Sequence, residues 1–257
     1  MRELRNFTYA QCNTYGLMTV MGKGVEIMIK AVIFDMFETL ITHYQSPLYF
    51  GTQMAQDSGI SNDKFQALWA PTESDRPIGN LTLEEVLEKI LKENQCYSAE
   101  LLNKLVKKRI SAKEECFNHL NPQIIPMLKE IKSQGLKIGL ISNCFSEEAP
   151  VIKSSILYPY FDKAYLSYEQ GIQKPDREIF TRCMKGLGVE AEECIYVGDG
   201  GSFELEAASE LLMKPIQAVW YLKHEYTPVS RLNSDFTQAE SPLDIIRYIK
   251  MFNAAES

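Results

Sequence analysis

Apolar residues along this chain follow two periods, and their alternation lays out an architecture. The run IKAVIF at residues 29–34 is a short apolar stretch that ends on Asp35, which predicts a buried strand. From about residue 43 to 121 the spacing changes to three- and four-residue steps. FQALWA, TLEEVLEKILKE and SAELLNKLVKKRISAKEECFNHL each predict an amphipathic helix there. Thr82 followed by Glu85 has the spacing of a capping box, and Ser98 ahead of Leu101 and Leu102 gives a weaker helix start. Beyond Pro122, helix and strand alternate. IIPMLKEIKSQG is amphipathic and closes at Gly135, and LKIGLIS is a short buried strand. The unit recurs as DREIFTRCMKGLG with CIYVGDG and as FELEAASELLM with PIQAVWY, and PLDIIRYIKMF is a last helix. Such alternation builds an α/β fold, a parallel sheet between two layers of helices.

The opening residues lack this periodicity, so a boundary falls near Met28. The tract Lys23-Gly24-Val25-Glu26-Ile27 is what a purine-rich ribosome-binding sequence yields when translated, and Met28 is therefore expected to be the natural start. Packing of a genuine N-terminal segment is the alternative. The expected organisation is an extension at 1–28, a core formed by 29–42 with 122–257, and a helical insertion at 43–121.

Composition narrows the classes. Of the 257 residues, 45% are hydrophobic and 24% charged, with no low-complexity tract, which excludes disorder, collagen and coiled-coil arrays. Lys plus Arg is 27 against 34 Asp plus Glu, a formal charge of -7, which argues against broad attachment to nucleic acid or anionic lipid. An anionic ligand must be held locally. The six cysteines form no C-x-x-C pair and have no His at metal-ligand spacing, so reduced thiols in a cytoplasm are expected. No stretch approaches the roughly 18 apolar residues of a spanning helix.

In parallel sheets with helical crossovers, ligands sit outside the carboxyl ends of the strands, so the chemistry is sought at the predicted strand tips. The first carries Asp35, which can be a nucleophile, a metal ligand or a cap of the following turn. The second carries Ser142 and Asn143, donors suited to an anion but also ordinary turn residues. Lys174, ahead of Pro175 and Asp176, either supplies a fixed positive charge or faces solvent. The fourth runs into Gly198-Asp199-Gly200-Gly201-Ser202-Phe203-Glu204, a glycine-rich loop whose two carboxylates, with that of Asp35, can hold Mg²⁺. Taken together, a carboxylate nucleophile, a metal, a hydroxyl and a lysine are the parts of phosphoryl transfer through an aspartyl-phosphate.

At this point the sequence resembles the haloacid dehalogenase superfamily, in the subgroup with a helical cap after the first motif. VIFDMFETL looks like the first motif, LISN the second, GIQKPDREIF the third and YVGDGGSFELEAA the fourth, over about residues 29 to 250. The resemblance implies that Asp35 is nucleophile and Mg²⁺ ligand, that Ser142 and Lys174 bind the phosphoryl group, and that Asp199 binds the metal with Glu204 in support. It further implies a metal-ligating backbone carbonyl at Phe37 and orienting roles for Thr39 and Asn143. The partner it implies is a small phosphorylated metabolite.

Two positions depart from the family pattern. Phe37 stands where family phosphatases usually carry a second Asp as general acid and base, and Glu38 replaces the usual Gly. Phe37 cannot move a proton. Glu38 is expected to point to another face of the turn, and His43, at the entrance to the cap, is the better proton donor. An aromatic at position 37 is also found in 2-haloacid dehalogenases, so that chemistry is a rival, as is a phosphate-binding relic with weak turnover. The Asp199 and Glu204 pair favours a Mg²⁺-dependent phosphohydrolase. Within the cap, Arg76 is expected against a substrate anion, Arg109 and Lys113 on a solvated face, and Phe65 and Trp69 in the cap's core. Cys144 is expected to pack, not react.

Overall fold

The computed structural model describes residues 28–222 and 232–254. Of the expected extension at 1–28, all but Met28 lies outside the described residues. The core is a six-stranded sheet in the order β3-β2-β1-β4-β5-β6, with every adjacent pair parallel. Its strands are β1 (Ala31–Phe34), β2 (Lys137–Ser142), β3 (Lys163–Leu166), β4 (Cys194–Gly198), β5 (Lys214–Ala218) and β6 (Thr237–Ala239).

Each central strand feeds two hydrophobic layers because successive side chains point to opposite faces. Val32 and Phe34 of β1 join Ile138 and Leu140 of β2 and Ile195 and Val197 of β4 on one face. There they meet helices α5 (Ile124–Ser133), α6 (Glu148–Ser154) and α10 (Asp244–Ala254). Ala31, Ile33, Cys194 and Tyr196 turn the other way and pack on α8 (Arg177–Leu187) and α9 (Glu204–Glu210). The short α7 (Ser167–Gln170) follows β3. The result is the expected three-layer α/β core.

Between β1 and α5 the chain forms α1 (Gly51–Ser58), α2 (Asn62–Trp69), α3 (Leu83–Glu93) and α4 (Ala99–Cys116), which enclose a separate apolar cluster. Its centre is Met54, Phe65, Leu87 and Ile90, all fully buried. Phe65 sits where expected, 5.8 Å from the ring of half-buried Trp69. The capping box at α3 is formed: Glu85 N donates to Thr82 Oγ1 at 3.2 Å, and Thr82 N donates back to Glu85 Oε2 at 2.8 Å. Ser98 caps α4 through Leu101 N at 3.0 Å, and Asp176 caps α8 through Glu178 N at 2.9 Å.

The expectation of a solvated Arg109 and Lys113 is corrected. They are 2% and 3% exposed, because that face of α4 packs on α6, where two glutamates meet them. Arg109 bonds Glu147 at 3.0 Å and Glu148 at 3.2 Å, and Lys113 bonds Glu148 at 2.7 Å. Burial pushes the Glu148 carboxyl up, but Lys113 and Arg109 outweigh it and hold it down at about 2.

Candidate active site

Strand order places the site. β1 lies between β2 and β4, and the chain leaves β1 toward β2 on one side and returns beside it on the other, as β4, only after β3. A crevice opens at such a reversal, outside the carboxyl ends of the strands. Asp35 stands there, its N–H donating to Val197 O at 2.9 Å. The chain then turns back at once: the N–H groups of Leu40 and Ile41 both donate to Met36 O, at 2.8 and 3.0 Å.

Asp35 Oδ1 lies 2.6 Å from Lys174 Nζ, and both residues are buried. Lys174 arrives from the loop after α7 and is held by Asn143, whose side-chain amide grips its backbone. Lys174 N donates to Asn143 Oδ1 at 2.8 Å, and Asn143 Nδ2 donates to Lys174 O at 3.0 Å. Lys174 Nζ also donates to Tyr196 Oη at 3.3 Å. Burial pushes the Asp35 carboxyl up, Lys174 pulls it down and Glu204 pushes it up, for a net rise from 3.8 to about 6. Lys174 is shifted upward: burial opposes its charge, but Asp35 and Glu204 outweigh it.

The glycine-rich loop after β4 supplies the other carboxylates. Gly200 N donates to Glu204 Oε1 at 2.8 Å and Ser202 N to Glu204 Oε2 at 2.7 Å, so the glutamate braces the loop that precedes it. Glycine is required at two points. A Cβ on Gly198 would come within 2.8 Å of Glu204 Oε1, and Gly200 sits at φ +94°. Asp199 Oδ1 accepts Gly201 N at 3.2 Å, and its carbonyl accepts Gln217 Nε2 at 2.9 Å. Oxygen atoms of Asp35, Asp199 and Glu204 all lie within 4.8 Å of one another.

These groups open into a cleft of about 260 Å³ lined by Asp35, Phe37, Glu38, His43, Tyr44, Phe50, Asn143, Lys174, Asp199, Gly201 and Ser202. A match to the family model for haloacid dehalogenase-like hydrolases covers residues 29–211, which include Asp35, Lys174, Asp199 and Glu204. This chain belongs to that family. Among relatives, glyceraldehyde 3-phosphate phosphatase of Methanopyrus kandleri is 27% identical over 207 residues, covering 74% of this chain and 84% of that enzyme. The same enzyme of Methanocaldococcus jannaschii is 33% identical over 134 residues, covering 50% of this chain and 57% of its own length. Phosphoglycolate phosphatase of Aquifex aeolicus is 24% identical, covering 85% of this chain and 96% of that enzyme. The fold is also that of a solved HAD phosphatase from Thermococcus onnurineus, with 18% identity, a TM-score of 0.59 and coverage of 86% and 98%. A 2-haloacid dehalogenase from Pseudomonas syringae shares it at 20% identity, a TM-score of 0.61 and coverage of 88% and 100%.

Within this hydrolase core, several expected site residues stand elsewhere than the cleft wall. Ser142 is fully buried, and among the described residues its hydroxyl donates one long 3.5 Å bond, to Asn143 O. Thr39 is fully buried too, its hydroxyl without a partner among the described residues and its carbonyl accepting Trp220 Nε1 at 2.8 Å. Both are fully buried, at the end of β2 and in the tight turn after β1, and neither lines the cleft. Arg76 does not face the cleft. It is buried between Trp69 and Phe145, with its guanidinium 3.8 and 4.5 Å from the two ring centres and Nε on Thr72 Oγ1 at 3.0 Å. Burial works against this charge and lowers the Arg76 pKa, while the two rings and the nearby Glu147 carboxylate offset part of that cost. Cys144 is buried as expected, and burial pushes its thiol up.

Glu38 is the largest departure from expectation, for it lines the cleft. Its φ is +57°, a left-handed conformation that costs a non-glycine residue about 1–2 kcal/mol. Its carboxylate accepts Thr42 Oγ1 at 2.5 Å, His43 N at 3.0 Å and the His43 ring at 3.1 Å. Burial holds the Glu38 carboxyl above its ordinary value despite these donors. His43 stacks on Phe37 with centroids 4.7 Å apart, and its Nε2 faces Lys113 Nζ at 2.5 Å. The ammonium is the donor there, which leaves the His43 Nδ1–H for Glu38. Burial and then Lys113 hold His43 well below its ordinary value, so the ring is a neutral bridge and not a charged acid.

The donor set fits a hard dication. Three buried carboxylates cluster with one ammonium, Lys174, which pairs with Asp35 and lies near the other two, and oxygen-only ligands at this spacing suit Mg²⁺. A titration follows. Asp35 has a raised pKa, so the unfolded chain loses this proton first, and without metal about 3 kcal/mol of stability is lost as pH rises from 3.8 through about 6. Millimolar Mg²⁺ is therefore expected to raise the melting temperature more at pH 7 than at pH 5. A shift equal at both values, measured by scanning calorimetry, would contradict this assignment.

Proposed function

We propose that this protein is a Mg²⁺-dependent phosphohydrolase of small phosphorylated metabolites that works through an aspartyl-phosphate. The observation that carries the reading is Asp35, salt-bridged to Lys174 and within 4.8 Å of Asp199 and Glu204 at the carboxyl edge of a parallel sheet. Asp35, Asp199 and Glu204, with the carbonyl of Phe37 in the same cleft wall, would hold the ion. Mg²⁺ would neutralise the carboxylates and polarise a phosphoryl oxygen. Asp35 attacks phosphorus, the bond to the leaving oxygen breaks, and the Lys174 ammonium offsets charge on the transferring oxygens. Water then cleaves the acyl phosphate and returns Asp35.

The helical insertion is read as a cap that closes the cleft and excludes water, since Phe50, ahead of α1, already forms part of its wall. No helix among the described residues is long and apolar enough to cross a membrane, and the free described thiols support a cytoplasmic setting. The three-carboxylate cluster favours this chemistry over dehalogenation, which has no use for it.

Phe37 sets the leaving-group preference. Positioned acid catalysis contributes roughly 10²- to 10⁴-fold, and Phe37 cannot supply it. With Mg²⁺ present, p-nitrophenyl phosphate and acetyl phosphate are expected to turn over at least about a hundredfold faster than an unactivated alkyl ester. Equal kcat/KM for the two classes would mean that another group protonates the leaving oxygen.

A further inference from the structure

The cleft wall beyond the reacting atoms has a charge pattern that bears on the leaving group. Facing the space in front of Asp35 are Phe37, Tyr44, Phe50, Glu38 and His43, whose Nε2 accepts from the Lys113 ammonium at 2.5 Å. Among the described residues, Lys174 is the one lysine or arginine in that wall, and Asp35 takes its charge. The insertion's nearby cations are turned away. Arg76 lies between Trp69 and Phe145, Arg109 bonds Glu147 and Glu148, and Lys113 stands behind the Phe37 and Phe50 rings, 5.2 Å from each centroid, with Glu148 at 2.7 Å.

A second anion on the substrate would therefore enter a wall of rings and meet a carboxylate, while the nearest insertion cation, Lys113, stands beyond His43 and is paired with Glu148. Glu38 is held in place for this by three donors, on a backbone conformation that glycine would adopt without strain. A carboxylate kept on such a backbone and aimed into the cleft points to selection by charge. We propose that Glu38 is a specificity-determining residue, and that the substrates are phosphate esters or acyl phosphates whose leaving group is uncharged and hydroxyl-bearing, not a second anion. Glu38 Oε2, which accepts one donor among the described residues, Thr42 Oγ1, keeps acceptor capacity for a substrate hydroxyl, and the aromatic rings cover the substrate's carbon skeleton. A carboxylate or second phosphate in the same place is repelled.

This inference rests on the phosphohydrolase reading, and binding separates the two. The Asp35→Asn protein with Mg²⁺ is titrated calorimetrically with glycerol 3-phosphate and with 3-phosphoglycerate, which share three carbons and a phosphate and differ in the carboxylate. Glycerol 3-phosphate is expected to bind at least about tenfold more tightly, since a like charge roughly 5 Å away in a half-buried site is repelled by more than that factor requires. Glu38→Gln, placed in the same background, keeps the shape and an acceptor oxygen but loses the charge. It is expected to shrink the ratio severalfold, a change that a purely structural role would not produce. Equal or tighter binding of 3-phosphoglycerate, or a ratio untouched by Glu38→Gln, overturns the proposal. Failure of the phosphohydrolase reading would look different: the unmodified protein would release no phosphate from any ester while the binding order stood.

Discussion

Glu148→Ala is expected to destabilise the protein by about 3–5 kcal/mol, a large share of the roughly 5–15 kcal/mol that holds a domain folded. Glu148 is 3% exposed and accepts Lys113, Arg109 and the Phe145 N–H, the last at 3.0 Å. Removing it leaves the buried Lys113 ammonium with the His43 ring in place of a countercharge and half-strands the Arg109 guanidinium at the seam between α4 and α6. Desolvation is what makes this costly, because the cations cannot recover their water without opening that seam. Replacing Glu148 and Lys113 together by apolar residues of similar size should restore much of the loss. Acid reads the same contact. The carboxyl is depressed from 4.5 to about 2, so its contribution of about 3 kcal/mol is present above pH 4.5 and is lost as pH falls toward 2. Urea unfolding of the single and double variants at neutral pH checks this. A single-variant loss under about 1 kcal/mol would place the seam's strength elsewhere.

The same seam marks where sequence reading ran out. The α4 sequence has lysines and an arginine at nearly every turn, and periodicity alone cannot tell which of them face a partner. What decides Arg109 and Lys113 is the pair Glu147-Glu148, some forty residues later in an unremarked stretch after β2. Charge pairing across that distance leaves no local signal. Arg76 was misplaced for a related reason, since its covering ring Phe145 belongs to the same distant segment.

The core was far more legible. β1, β2, β4 and β5 are apolar runs between helices, and the residues at their tips could be found because a parallel sheet puts ligand groups there. Asp35, Asp199 and Glu204 are found this way and Lys174 from its place ahead of Pro175 at a helix start, and the four converge. The edge strands β3 and β6 were missed because they are short and only half buried, so KAYL and TQA lack an uninterrupted apolar run. Tyr196 and Gln217 give almost no signal in the sequence. Their one visible sign was a polar group inside an otherwise apolar strand: the Tyr196 hydroxyl accepts from Lys174 Nζ, and the Gln217 amide donates to the Asp199 carbonyl. Glu38 is visible in the sequence but its direction is not, because its left-handed backbone brings the side chain back toward His43 and the cleft.

The central claim is that Asp35 is a nucleophile working beside a metal. Its direct test is phosphate release from acetyl phosphate and p-nitrophenyl phosphate, whose leaving groups need no proton from Phe37. The parent and Asp35→Asn are compared, each with Mg²⁺ and with a chelator. Asparagine keeps the size of the side chain and removes the attacking oxygen, so turnover is expected to fall by at least about a thousandfold. Chelation should have a comparable effect on the parent, because it leaves three carboxylates crowded around one lysine with nothing to draw the phosphoryl group in. Release that requires both Asp35 and Mg²⁺ is the predicted result. Release that survives Asp35→Asn, or that persists in the parent after chelation, would contradict it.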